Sequence, residues 1–159
     1  MRTFIKSALC LSLLVFLSSC DKNVPDDETY LIFGIFCGEC AGTECVNIFH
    51  LSSVGIWEDQ NDFYPGAGFS GQKYDFVELP QEKFELVRDF SDEFPRALLD
   101  ETEDQFGCPD CGDQCGYYVE WKDDGEIRSW TIDTDKDKIP SYLHDFVDQI
   151  SVNITLLKE

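Results

Sequence analysis

Positive charge is scarce in this chain. Its 159 residues include 12 lysines and arginines against 32 aspartates and glutamates, which gives a formal net charge of −20 at pH 7. A protein that binds DNA or RNA through phosphates presents a basic surface, and this composition does not favour one. We therefore exclude nucleic acid as a partner and interpret the acidic excess as a solubilising surface. A partner with a basic surface remains compatible with this charge.

Histidine and the motifs of common catalytic folds are also scarce. The two histidines are His50, among apolar residues of a predicted strand, and His144, in a predicted helix. The sequence has no Gly-x-Ser-x-Gly elbow, P-loop or Rossmann glycine pattern, and residues 68–71 are a loop fragment. Because acidic residues occur throughout the chain, a pair of carboxylates says little about sugar chemistry. The sequence predicts a protein that is not an enzyme and that uses no cofactor.

A long apolar run is missing as well. The run at residues 8–17 has 10 residues, whereas a membrane-spanning helix needs roughly 20. It follows Arg2 and Lys6 and ends in Leu17-Ser18-Ser19-Cys20, which resembles the lipobox of bacterial lipoproteins. The resemblance implies a signal peptide over residues 1–19 and a lipid attached to Cys20, the first residue of the mature chain. Several acyl chains on one residue anchor a protein to a membrane without spanning it.

The implied anchor sets the expected location. Without the leader the chain keeps 10 basic residues against 32 acidic ones, a net charge of −22, which opposes a second electrostatic anchor on anionic lipid. Residues 20–29 are polar, contain Pro25 and are predicted as the lipidated cysteine and a flexible tether. We expect the protein in the cell envelope, on the outer membrane. Whether it faces the periplasm or the surface is left open.

Six further cysteines form two triplets: Cys37, Cys40 and Cys45, then Cys108, Cys111 and Cys115. The CPDCG segment resembles the knuckle of rubredoxins and zinc ribbons, and CGEC resembles the thioredoxin pair, so a metal site and a redox pair are alternatives to disulfides. Export and the even count favour disulfides. Because Cys37 ends one predicted strand and Cys115 precedes another, antiparallel neighbours would bring them together, and we predict a Cys37–Cys115 bridge. The pairing of the other four is left open.

Residues 30–159 have the length of one domain. Hydrophobic alternation and turn residues predict strands at 30–36, 45–51, 54–57, 72–79, 117–122 and 126–132. Helical spacing predicts helices at 81–90, 96–101 and 141–156, and Asp123-Asp124-Gly125 predicts a hairpin turn. We expect an α+β fold, an antiparallel sheet of about five strands with helices packed on one face, stabilised by disulfides.

Two further groups are weaker candidates for a site. Asp133, Asp135 and Asp137 alternate as in a calcium loop, but Lys138 and His144 stand where an EF-hand needs Gly and Glu, which favours a solvated connector. Core or loop packing explains most aromatic residues, although four beside a Gly-rich loop are candidates for a binding face: Trp57, Phe63, Tyr64 and Phe69.

Four segments resemble a group of small Bacteroidota lipoproteins with no assigned activity: GECAGTEC, FELVRDF followed by FP, GCPDCGDQ, and WTIDTD followed by IPSYL. The order of elements is also similar to that of small exported protease inhibitors such as emfourin. Neither similarity implies a functional residue in this chain. We expect a non-enzymatic envelope lipoprotein that binds a protein or another envelope ligand. The alternative is a metal-binding or thiol-redox lipoprotein that uses the two cysteine triplets.

Overall fold

The structure, a computed structural model, describes residues 27–38, 40, 45–61, 64–65, 74–112 and 114–159. The predicted signal peptide, Cys20 and the predicted tether up to residue 26 lie outside these residues, so the anchor stays a prediction. Phe63, Phe69 and the loop fragment at residues 68–71 lie outside them too.

Among the described residues, seven strands form one sheet in the order β4-β3-β2-β1-β6-β7-β5. Neighbours are antiparallel except β5 and β7, which run parallel. The α+β class is confirmed, but the sheet is mixed and has more than the five strands predicted. The short β5 was missed because two residues carry no periodicity. The strands are β1 (Tyr30–Cys37), β2 (Val46–Ser52), β3 (Ile56–Asp59), β4 (Phe76–Glu78), β5 (Gln105–Phe106), β6 (Cys115–Asp123) and β7 (Glu126–Asp133).

The helices are shorter and more broken than predicted. The first, α1 (Gln81–Val87), follows Pro80 as expected but ends before Phe90, where a 3-10 helix begins. Asp92 N–H donates to the carbonyl of Asp89, three residues back, and this tighter turn replaces the predicted end of the α-helix. The last predicted helix divides into a 3-10 turn (Ser141–Leu143) and α2 (His144–Lys158). The other 3-10 helices are Arg96–Asp100 and Lys136–Lys138.

The larger core lies between the helices and one face of the sheet. Alternate residues of the central strands point to this face, among them Phe33, Phe49, Val119 and Trp130. The stripe predicted for the last helix packs against them, as do residues of the 3-10 segments: Phe90, Phe94, Leu98, Leu143, Phe146, Val147, Ile150 and Leu157. Neither α-helix in the described part of the chain is long and apolar enough to cross a membrane.

A second, smaller core covers the opposite face. Ile32, Ile48 and Tyr118 are buried there, with Tyr64 and Phe76 packed against them. The central strands are therefore buried on both sides, which explains why β2 is buried at every position instead of alternating.

Candidate functional site

The three disulfides gather at one end of the sheet. Cys37 pairs with Cys115, as predicted, and the two residues are direct partners in the β1–β6 register with Cα atoms 4.2 Å apart. The four cysteines whose pairing the sequence left open join within their own triplets, Cys40 with Cys45 and Cys108 with Cys111. All six sulfurs are thus in disulfides, and in this oxidised form none is a thiolate that could bind zinc.

Backbone turns and one carboxylate hold the second triplet against the first. Gly107, Asp110 and Gly112 have positive φ angles, which allow the sharp reversal around the Cys108–Cys111 bridge. The Asp110 carboxylate accepts hydrogen bonds from the backbone N–H of Gly38 and from the hydroxyl of Tyr64. Burial, and then the Asp110 carboxylate beside it, raise the pKa of Tyr64 to about 12. The two triplets therefore meet through Asp110 as well as through Cys37–Cys115.

The acidic alternation after β7 is part of this end of the fold. Asp133 is fully buried, and its carboxylate accepts hydrogen bonds from the backbone N–H groups of Cys108 (2.8 Å) and Asp135 (2.9 Å). Burial opposes ionisation, but these hydrogen bonds and the Lys138 ammonium, 3.6 Å away, together lower the pKa of Asp133. Asp137 follows as an exposed residue of a 3-10 helix. Asp133 is thus paired with Lys138 and holds the cysteine loop, which supports a structural role.

No group of His, Cys, Asp and Glu that could hold a metal ion occurs within the described ranges.

The predicted candidates among the histidines and aromatics are packing residues. His50 is buried with its ring centroid 4.6 Å from Tyr30, 5.3 Å from Phe76 and 5.5 Å from Trp57. This burial lowers the pKa of His50 to about 4, so the imidazole is neutral near pH 7. Trp57 belongs to the same buried group, and Tyr64 packs edge-on against Phe36. Core or loop packing, the interpretation favoured for these aromatics, therefore holds for Trp57 and Tyr64, and the structure does not support a binding face that contains both.

His144 lies elsewhere, at the start of α2. Its Nε2 is 3.3 Å from the carbonyl oxygen of Ile139, so the ring closes the turn that leads into the helix.

An open groove that sequence reasoning missed lies at the β6–β7 turn, at the opposite end of β6 from Cys115. Its volume is about 390 Å³, within the range of small-ligand pockets. Four of its lining residues lie on the sheet face that carries the helices. They form two cross-strand pairs, Trp121 with Arg128 and Asp123 with Glu126. Asp124 at the turn and Leu99 from the 3-10 helix complete the wall. The sequence did carry one indication of this groove: these residues alternate on either side of the predicted hairpin turn, which places them on the same face of the sheet.

Arg128 fixes the wall of the groove. Its guanidinium donates to the backbone carbonyls of Leu99 at 2.6 Å and Glu101 at 2.8 Å, and it lies 5.1 Å from the ring of Trp130. These bonds satisfy carbonyls at the end of a 3-10 helix that have no partner within the helix. The hairpin and the 3-10 helix are thus joined by a charged side chain, so the groove is formed before any ligand binds.

An aromatic residue forms part of the groove floor. Trp121 is 3% exposed and stacks on Phe94 with ring centroids 4.5 Å apart. The guanidinium of Arg96 lies 4.6 Å from the Trp121 ring centroid, and its Nη1 is 3.4 Å from an Asp123 carboxylate oxygen. The groove thus combines an apolar floor with charged edges.

No protein-family model matches this chain, and no curated protein matches it. Neither comparison assigns the groove or the disulfide end a role.

Proposed function

We propose that this protein is a lipid-anchored lipoprotein of the cell envelope whose folded domain is a non-enzymatic binding module. The groove at the β6–β7 turn carries the binding part of the proposal, because it is open, pre-formed and lined by both apolar and charged side chains. The apolar leader and the lipobox at Cys20 support the anchor. Three disulfides support export to an oxidising compartment.

Lipid labelling tests the anchor. The full chain, expressed in a bacterium with two membranes and fed an alkyne fatty acid, should incorporate the label at Cys20. Cys20→Ala should abolish the labelling, whereas Cys10→Ala, a matched change within the leader, should leave it intact. Labelling that survives in Cys20→Ala, or is absent from the unmodified chain, contradicts the anchor.

Site-specific crosslinking in the same cells tests the binding module. A photo-crosslinking amino acid at Glu126, which lines the groove, should give a discrete adduct with an envelope component. The same replacement at Glu78, also exposed but on β4 at the far edge of the sheet, should give none. Adducts of equal yield at both positions, or none at Glu126, would count against a binding groove.

Thiol redox chemistry is the second candidate, and the exposure of Cys111 favours it. The Cys108–Cys111 bridge spans 3 positions of sequence and presents Cys111 to solvent. A catalytic pair needs an attacking thiol with a lowered pKa and access to its substrate. If this candidate is correct, reduction of the purified protein by glutathione should open this bridge reversibly and leave Cys37–Cys115 closed.

A further inference from the structure

The groove at the β6–β7 turn already holds one cation on its aromatic floor. Arg96 comes from the neighbouring 3-10 helix, and its guanidinium lies over the Trp121 ring at 4.6 Å. Tryptophan is the aromatic side chain that attracts cations most strongly. The Arg96 side chain is 60% exposed, whereas the Trp121 ring beneath it is 3% exposed, so a ligand that contacts this ring must replace the Arg96 guanidinium. The groove therefore already binds one guanidinium group.

Two carboxylates of the same groove are available for a second cation. Asp123 is engaged with Arg96, but within the described part of the chain neither Asp124 nor Glu126 takes part in an ion pair. Both are exposed on the groove wall. Arg128 also lines the groove, but it is held by carbonyl oxygens of the 3-10 segment. The three carboxylates outnumber the two guanidinium groups, so the groove is negative overall.

The apolar part of the groove suits the stem of a long basic side chain. Leu99 and Trp121 line it beside the carboxylates. Arginine and lysine bury their methylene stems against apolar surface while the charged end stays near water and anions. The net charge of −20 attracts cationic partners towards the protein from a distance.

We infer that the groove receives an arginine or lysine side chain from a basic segment of a partner protein. This inference rests on the proposed binding function and names the chemistry of its ligand. The stem would lie against Leu99 and, where the Arg96 side chain moves aside, against Trp121, and the charged end would lie between Asp124 and Glu126.

A peptide titration against the full-length protein tests this directly. The lipidated protein is labelled with ¹⁵N at its three tryptophans, Trp57, Trp121 and Trp130, and solubilised in non-ionic detergent. The probe is acetyl-Gly-Arg-Gly-amide, and its control carries citrulline, which has nearly the same shape without the charge. The arginine probe should shift the Trp121 indole signal in a saturable way, and the citrulline probe should bind at least about fivefold more weakly.

Matched variants separate the groove from the overall charge. Asp124→Asn with Glu126→Gln should weaken arginine binding about fivefold, because two exposed ion pairs are lost. Asp137→Asn with Asp145→Asn removes the same charge from exposed positions beyond the other end of β7 and should change binding by less than about twofold. Arg96→Gln removes the resident cation and should strengthen binding about twofold.

Three outcomes would overturn the inference. Equal losses in the two double variants would show attraction by overall charge rather than a site. Equal binding of arginine and citrulline would leave a binding groove but remove its cation preference. A Trp121 signal unmoved by either probe would remove the basic ligand, whereas the proposed binding function is tested separately, by comparison of the Glu126 and Glu78 crosslinks.

Discussion

Removal of the Cys37–Cys115 bridge should destabilise the fold more than removal of either local bridge. The bridge closes a loop with a sequence separation of 78, whereas Cys108–Cys111 has a separation of 3. In the chain-entropy account a crosslink destabilises the unfolded chain by a constant amount plus an amount that grows with the logarithm of the loop length. That account gives about 4.5 kcal/mol for the long loop and about 2 kcal/mol for the short one.

Urea unfolding of the two double variants measures this difference. Cys37→Ala with Cys115→Ala should lower the free energy of unfolding by about 4.5 kcal/mol, and Cys108→Ala with Cys111→Ala by about 2 kcal/mol. For a domain of roughly 130 residues these losses correspond to melting temperatures lower by about 15 °C and about 7 °C. The long-loop variant should also show the larger m-value, because its unfolded chain is less compact.

Equal losses in the two variants, or a larger loss for the short bridge, would refute the loop-length reasoning. Such a result would mean that native contacts around Asp110 and Asp133, rather than the unfolded chain, determine what each bridge contributes. The Cys40→Ala with Cys45→Ala variant, with a separation of 5, should fall close to the short-loop value.

Three more predictions concern the packing of the sheet. Burial lowers the pKa of His50 to about 4, against 6.5 in the unfolded chain. Because the unfolded state therefore binds the proton first, the free energy of unfolding should fall by up to about 3 kcal/mol as the pH drops from about 6.5 to 4. His50→Phe should flatten this part of the stability–pH curve, and an unchanged slope would contradict the account. Gly34→Ala should lower the free energy of unfolding, measured by thermal unfolding, by about 2–3 kcal/mol. The reason is that the new Cβ would clash with the backbone oxygen of Asn47 and lie 2.9 Å from Ile48 Cα. An unchanged stability would show that β1 and β2 can move apart at little cost. Arg128→Met should lower the free energy of unfolding by about 2 kcal/mol, because the carbonyls of Leu99 and Glu101 lose their donor. It should also speed amide hydrogen exchange in the 3-10 helix Arg96–Asp100. An exchange rate unchanged from that of the unmodified protein would show that another contact holds this helix.

Features set by local chemistry could be predicted from the sequence. Asp124 and Gly125 adopt φ angles of 48° and 82°, the positive values that the Asp-Gly turn requires, and the β6–β7 hairpin follows. The Cys37–Cys115 bridge joins residues 78 positions apart, but it could also be predicted, because it required only that β1 and β6 be antiparallel neighbours, and they are.

Other contacts between distant parts of the chain, which no pattern in the sequence marks, could not be predicted in this way. The 2-residue strand β5 exists because Asp104 O accepts a hydrogen bond from Thr131 N–H and Phe106 is buried beside Ile132. Neither contact has a local signal. The groove likewise needs Leu99, whose position is set by Arg128, 29 residues further along the chain. Trp57 and Tyr64 follow the packing that the sequence favoured for most aromatics, since both turn inward to cover a second face of the sheet.

The central claim is an exported, lipidated chain whose six remaining cysteines are disulfide-bonded. The most direct test is the intact mass of the protein extracted from the membranes of an expressing bacterium, alkylated before or after reduction. The account predicts a chain that begins at Cys20 with covalent lipid, takes up no alkyl group before reduction and takes up six afterwards. An unprocessed chain without lipid, or alkylation of any of the six before reduction, would contradict it.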